Sequence, residues 1–284
     1  MIITADQAPR LSPVFEGRKG RLLYNLAMRV TAIDKVNLTH DRVEKAGIAP
    51  GPDFAKGILD DVDVDFLVGN PERLSKLPDG AFIVIANHIY GHLDGICLVD
   101  LFGHVRPGSK VMVNEFLMWI KGLAPNFISV NPTLSERKGA TSTSVNGVKN
   151  ALLQLRNGDP LCIFPSGAVA DLKPREHWTL SERDWQDAAV KLIRKARVPI
   201  VPVRFLDHNS AFYYALGLID YRVRFVRLFH EMYNKRDTHP RVGIGSTLSV
   251  EEQDAVPEGE FKQFLRQSVY DMPLPDHYLK RSEL

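Results

Sequence analysis

Five short apolar runs constrain what this chain can fold into: Ala81 to Ala86, Val111 to Val113, Phe127 to Val130, Leu161 to Phe164 and Pro199 to Val203. Each is too brief for a helix and shows little of the apolar–polar alternation of a half-exposed strand, so each reads as a strand buried on both faces. Turn-forming Leu77, Pro78, Asp79 and Gly80 introduce the first. Helical spacing appears between the runs, from Val145 to Arg156 and from Trp185 to Ala196. Strands and helices that alternate in this way predict an α/β fold, a largely parallel central sheet flanked by helices.

The 284 residues are 44% hydrophobic and 25% charged, an ordinary globular composition. A net charge of +2 gives no basic footprint for nucleic acid. Without a repeat or linker tract, we expect one domain over residues 1–284, with a mostly helical N-terminal extension (1–76), a catalytic core (77–250) and a C-terminal tail (251–284). The two cysteines, Cys97 and Cys162, lie among apolar neighbours and read as buried thiols of a reducing compartment rather than a disulfide. No stretch approaches the roughly 18 apolar residues of a membrane span, and the N-terminus lacks a secretory-signal layout. A cytoplasmic protein is expected.

Contact with a membrane surface is compatible with that. Leu22, Leu23, Leu26, Val30 and Ile33 share one helical face, with Arg18, Lys19, Arg21 and Arg29 around them. Such a basic amphipathic helix either packs on the core or lies on anionic lipid, at the inner face of the cytoplasmic membrane. From Lys191 to Arg236, basic residues including Arg194, Arg204, Arg224 and Arg227 are interleaved with Phe212, Tyr213, Tyr214, Tyr221, Phe225 and Phe229, which suggests a second interfacial surface.

Titratable residues gather directly after the first buried strand, in Asn87, His88, Ile89, Tyr90, Gly91, His92, Leu93, Asp94 and Gly95. Strand ends of this kind bind ligands in α/β sheets. A neutral imidazole can take a proton from an attacking hydroxyl, and a carboxylate beside it fixes the tautomer and steadies the imidazolium. His88 and Asp94 fit those roles. They equally fit a helix start, with Asp94 a first-turn carboxylate favoured by the dipole. His92 is a second candidate base. His88, His92 and Asp94 also suit metal ligation if the histidines share a helix face, although Gly91 and Gly95 argue against a regular helix there.

Four segments in order, His88 with Asp94, Phe127 to Pro132, Phe164 to Gly167 and Val198 to Val203, resemble the glycerolipid acyltransferase family of the lysophosphatidic-acid acyltransferase type. Asn209 to Tyr213 is similar to the hemolysin-like branch, some members of which make ornithine- and glycine-type aminolipids. The resemblance implies an enzyme that moves a fatty acyl group from acyl-CoA or acyl-ACP to a lysolipid hydroxyl without a cofactor or metal. It implies His88 as base, Asp94 as its partner, and Asn87, Arg137, Lys138, Phe164, Pro165, Ser166, Gly167 and Arg204 as substrate-binding residues. Backbone amides around Gly167 are candidate oxyanion donors.

The chain departs from the family pattern at three places. Five residues, where four are usual, separate His88 from Asp94. Ser166 stands where the family's Phe-Pro-Glu-Gly block has Glu, so a carboxylate is missing from that turn. The middle block, Ile128 to Pro132, has no arginine for an acceptor phosphate, which leaves Arg137 and Lys138 to substitute and favours a lyso-aminolipid over lysophosphatidic acid. A serine-hydrolase reading of Ser166 is disfavoured, because Phe164 and Ala168 occupy the glycine positions of a nucleophile elbow. A lipid-binding protein of the same fold without chemistry is the alternative function.

Overall fold

The computed structural model describes residues 16–130, 142–219 and 221–284. Its centre is a mixed eight-stranded sheet in the order β10-β1-β9-β8-β2-β5-β3-β4. The strands are β1 (Leu67–Gly69), β2 (Ile83–Ala86), β3 (Lys110–Asn114), β4 (Phe127–Val130), β5 (Leu161–Ile163), β8 (Ile200–Phe205), β9 (Arg241–Ile244) and β10 (Tyr278–Lys280). β2 runs parallel to both neighbours, with Ile83 opposite Leu161 of β5 and Ile200 of β8. β3 pairs parallel with β4 and β5, and β1 with β9. Among the described strands of this sheet, β8–β9 and β1–β10 are the antiparallel pairs. The expected class, a largely parallel sheet between helices, is what the chain adopts.

The continuous apolar character of β2 follows from its position. All four of its residues are buried, Val84 and Ala86 on one face and Ile83 and Ile85 on the other. The first face meets helices α3 (Pro52–Asp61) and α4 (His92–Val105) through residues such as Phe54, Ile58, Leu98 and Phe102. The second meets α5 (Ser142–Arg156), α6 (Asp187–Ala196) and, near the C-terminus, α10 (Phe261–Tyr270) through Ala151, Leu155, Ile193 and Leu265. Each fully buried aliphatic side chain contributes about 1.5–3 kcal/mol relative to exposure, so these two layers hold the strand ends in register.

Three boundaries differ from the sequence expectation. Helix α6 begins at Asp187 rather than Trp185, and the indole of Trp185 is buried ahead of it. Gly95 lies inside α4, where an added Cβ would meet nothing within 4 Å, so its small size does not interrupt the helix. The single N-terminal helix divides into α1 (Gly17–Val30) and α2 (Ile33–Lys45). Thr31 Oγ1 bonds back to Ala27 O at 2.7 Å, and Ala32 takes a left-handed φ of 57°. Ile33 therefore belongs to the second helix. On α1, Tyr24 and Met28 pack inward, while Leu22, Leu23, Leu26 and Val30 are exposed.

An excursion between β5 and α6 forms a small hairpin, β6 (Asp171–Lys173) with β7 (Thr179–Ser181). Leu172 and Leu180 pack it against Val169, Tyr213, Tyr214 and Leu228. Helices α7 (Ala211–Ile219) and α8 (Tyr221–Tyr233) supply the last three, and the short α9 (Val250–Asp254) precedes α10. Cys97 and Cys162 are free and buried. Among the described residues, no helix is long and apolar enough to cross a membrane.

Candidate active site

β2, β5 and β8 end on the same side of the sheet, and the residues beyond them meet there. The chain leaves β2 through Asn87 and His88, turns over Ile89 to Gly91, and enters α4 at His92. Gly91 makes this possible. Its φ of +88° is one that side-chain-bearing residues rarely adopt, and a Cβ there would lie 2.9 Å from Leu228 Cδ1.

Asp94 is the third residue of α4 and is completely buried. Its Oδ2 accepts the N–H groups of Ile89, Tyr90 and Gly91 at 2.9, 3.0 and 3.1 Å and lies 2.8 Å from His88 Nδ1. One carboxylate thus combines two contacts: it reaches back from the first turn to the amide of the N-cap Gly91 and the two amides before it, and it also holds an imidazole. Burial pushes the Asp94 carboxyl above its ordinary range, and the His88, Gly91 and Tyr90 donors pull in the opposite direction. With Nδ1 directed at Asp94, Nε2 is the His88 nitrogen left to exchange a proton with a substrate. The His88 side chain retains 19% exposure, and its ring stacks on Phe164 with centroids 4.3 Å apart.

His92 occupies a different environment. It is half-buried with both ring nitrogens enclosed, its ring is tilted against Phe229 at 5.2 Å, and neither ring nitrogen has a hydrogen-bond partner among the described residues. Burial lowers its pKa from 6.5 to about 4. His88 precedes α4 while His92 opens it, so the two histidines do not share a helix face.

The turn after β5 forms the opposite wall. Phe164 lies against the imidazole, Pro165 O accepts Gln186 N–H at 2.9 Å, and Gly167 takes a φ of +63°. The Gly167 amide donates to Phe164 O at 3.0 Å, which takes that N–H out of the set of oxyanion donors. Ser166 Oγ is 2.7 Å from Glu182 Oε1 and 3.0 Å from Ala168 O. Its hydroxyl is thus turned to an interior carboxylate and not to an imidazole, unlike the nucleophile of a serine hydrolase.

Both polar atoms of Asn87 are engaged by Phe205, Oδ1 accepting its N–H at 2.7 Å and Nδ2 donating to its carbonyl at 2.9 Å. The structure places this buried amide as a tie between β2 and β8. Arg204, one position past the Ala86–Val203 register pair, is half-buried and makes a long 3.4 Å contact to Met272 O. Arg137 and Lys138 lie outside the described residues. The arginine–aromatic tract does not form one surface. Arg224 is buried on α8 and donates to Val169 O and Ala170 O, Arg194 covers the Phe261 ring at 4.4 Å, and Tyr213 and Tyr214 are buried.

Glu182 is the site residue that sequence reasoning missed. It follows β7 directly, is fully buried, and accepts His88 N–H at 2.6 Å and Ser166 Oγ–H at 2.7 Å on Oε1. Oε2 accepts Trp185 Nε1–H at 3.1 Å and Tyr270 O–H at 2.6 Å. No local pattern marks it, because its partners are scattered from residue 88 to residue 270.

An imidazole backed by a buried carboxylate at the C-terminal ends of parallel strands, with the Ser166 hydroxyl turned to Glu182, is an arrangement able to take a proton from a hydroxyl. A family model described as "Acyltransferase" matches residues 43–274, and the chain belongs to that family. It is an acyltransferase. It is similar to the lyso-glycine lipid O-acyltransferase of Bacteroides thetaiotaomicron, 24% identical over 249 residues that span 84% of this chain and 85% of that protein. The protein of the same description from Phocaeicola vulgatus is 23% identical over 262 residues, 89% of this chain and 88% of its own. Among solved structures, the 1-acyl-sn-glycerophosphate acyltransferase PlsC from Thermotoga maritima aligns with a TM-score of 0.47 at 16% identity, over 78% of this chain and 75% of that one.

The enclosed ring nitrogens of His92 give a pH dependence of stability. Its folded pKa of about 4 lies below the unfolded value of 6.5, so between those values the unfolded chain binds more protons and stability falls as pH falls. His40, lowered to about 4 chiefly by burial, acts in the same direction. The unfolding free energy from urea titrations at pH 7 and pH 4.5 should drop on acidification, and His92→Leu should reduce that drop by up to about 3 kcal/mol. An unchanged drop in the variant would exclude the assignment.

Proposed function

We propose that this acyltransferase moves a fatty acyl group from acyl-CoA or acyl-ACP to the hydroxyl of a lyso-aminolipid, with His88 as general base. The observation that carries the reading is the 2.8 Å contact between His88 Nδ1 and Asp94 Oδ2, which leaves Nε2 outside that pair on a side chain that retains 19% exposure. His88 Nε2 takes the hydroxyl proton as the oxygen attacks the thioester carbonyl. The tetrahedral adduct then expels the thiolate, which recovers the proton from the imidazolium as free thiol. Neither a covalent enzyme intermediate nor a metal enters this sequence.

Two relatives described as lyso-glycine lipid O-acyltransferases support the aminolipid acceptor. The site is in keeping with it. Arg204, near the end of β8 and one position past the Ala86–Val203 pair, makes a long contact to Met272 O, and its guanidinium suits a head-group carboxylate. Arg137 and Lys138 are further candidates for that charge, and Phe164, Pro165, Ser166 and Gly167 wall the reacting end. Phe116, on the turn that follows β3, is exposed and available to the acyl chain. The exposed leucines and basic residues of α1 support peripheral contact with an anionic membrane.

His88→Ala should lower kcat by roughly 10²–10⁴-fold without unfolding the protein, whereas His92→Ala retains most turnover per folded molecule. The reverse result, by radiolabelled acyl transfer, would show that the base is misassigned. In a competition between lyso-glycine lipid and lysophosphatidic acid, kcat/KM should favour the aminolipid. A tenfold preference for lysophosphatidic acid, about 1.4 kcal/mol, would sink that acceptor. Flotation should carry the protein with anionic vesicles at low salt and much less at high salt. Replacing Leu22 and Leu26 by Ser should abolish flotation, and protein absent from the lipid fraction at both salts would remove the membrane contact.

A further inference from the structure

His88 is held at four points, and only one of them is the pair with Asp94. Its ring rests on Phe164 at 4.3 Å, its carbonyl accepts Ala170 N–H at 2.8 Å, and its own N–H is donated to Glu182 Oε1 at 2.6 Å. The same Oε1 accepts the hydroxyl of Ser166, two residues along the turn from Phe164. One buried oxygen therefore fixes both the peptide that carries the imidazole and the turn that carries the ring's stacking partner. The other oxygen is anchored by Trp185 Nε1 and the Tyr270 hydroxyl, from the entrance of α6 and the end of α10. Four donors meet an acceptor-only group, and each arrives from a different element.

We infer that Glu182 is a positioning residue for acyl transfer, which sets the distance and tilt of the His88 imidazole against the Phe164–Gly167 wall through the His88 amide and the Ser166 hydroxyl. The inference rests on His88 being the base. Glu182 does not touch the reacting atoms. Its effect falls on turnover, because transfer from a hydroxyl to an imidazole depends steeply on alignment while ground-state binding of a lipid does not.

The bonding pattern supplies the test. Glu182→Gln keeps the shape but exchanges one acceptor oxygen for an NH2 group. The His88 amide and the Trp185 indole can only donate, and they face opposite oxygens, so either orientation of the amide sets an N–H against that NH2. The Tyr270 and Ser166 hydroxyls can turn to accommodate it. In Glu182→Gln, kcat per folded molecule should fall roughly 10- to 100-fold with KM within about threefold of the unmodified enzyme. Adding Trp185→Phe removes the opposing donor, and the double variant should recover to within about threefold of Trp185→Phe alone. A merely structural Glu182 would lower the folded fraction and leave kcat per folded molecule unchanged.

A second readout needs neither an acceptor nor the Trp185 variant. With 15N-labelled histidine, the proton shared between His88 Nδ1 and Asp94 gives a downfield line, assigned by its loss in His88→Ala, and Glu182→Gln should shift or broaden it although Asp94 is untouched. An unmoved line, or normal kcat in Glu182→Gln beside a dead His88→Ala, would overturn the inference. An active His88→Ala would overturn the choice of base instead.

Discussion

A single buried carboxylate oxygen sets the geometry of the site. Asp94 Oδ2 receives three consecutive backbone amides and the His88 ring, so the end of β2, the turn over Gly91 and the first turn of α4 are defined by their distances to one atom. Leaving those amides unpaired inside the protein costs about 1–3 kcal/mol each, and so does an unpaired carboxylate, at least. The requirement that buried polar groups find partners thus shapes the loop, and a positioned imidazole is the outcome. The extra residue between His88 and Asp94 is absorbed by this turn, since Ile89, Tyr90 and Gly91 all point their amides at the same oxygen.

Glu182 extends the same logic to the other side of His88. The missing carboxylate in the turn after β5 is a statement about position 166 alone. The Ser166 hydroxyl reaches a carboxylate that arrives from the far end of the β6–β7 excursion. Arg224 braces the near end by donating to Val169 O and Ala170 O, and Ala170 N–H closes on His88 O. His88 consequently lies between two supports, one local to α4 and one assembled from β5, β7, α6 and α10.

What was legible in the sequence divides along these lines. Strands β2, β5 and β8 were legible because burial on both faces leaves unbroken apolar runs, and the pairing of His88 with Asp94 because six positions on one turn bring both groups within reach. Glu182 was hidden: a charged residue in Ser181, Glu182, Arg183, Asp184 reads as solvated unless its distant donors are known. The arginine–aromatic tract misled for the related reason that Arg224 turns its charge inward to carbonyls, which composition does not register. The break at Thr31 and Ala32 was missed because neither glycine nor proline marks it, and only the back-bond to Ala27 O and the left-handed Ala32 reveal it.

The supports of His88 also lie far apart in chain order. Its amide closes on Glu182 across 94 positions, Asn87 on Phe205 across 118, and Ile89 O on Asn209 across 120. Contacts of such separation are slow to form, because loop closure precedes any gain from them. During synthesis, the Asp94 turn can close as soon as α4 has emerged, but the opposite support waits for the β6–β7 hairpin, β8 and finally Tyr270. The surroundings of His88 are therefore among the last parts of this molecule to be completed, and a chain cut short before α10 carries the His88–Asp94 pair without the full set of bonds that holds it.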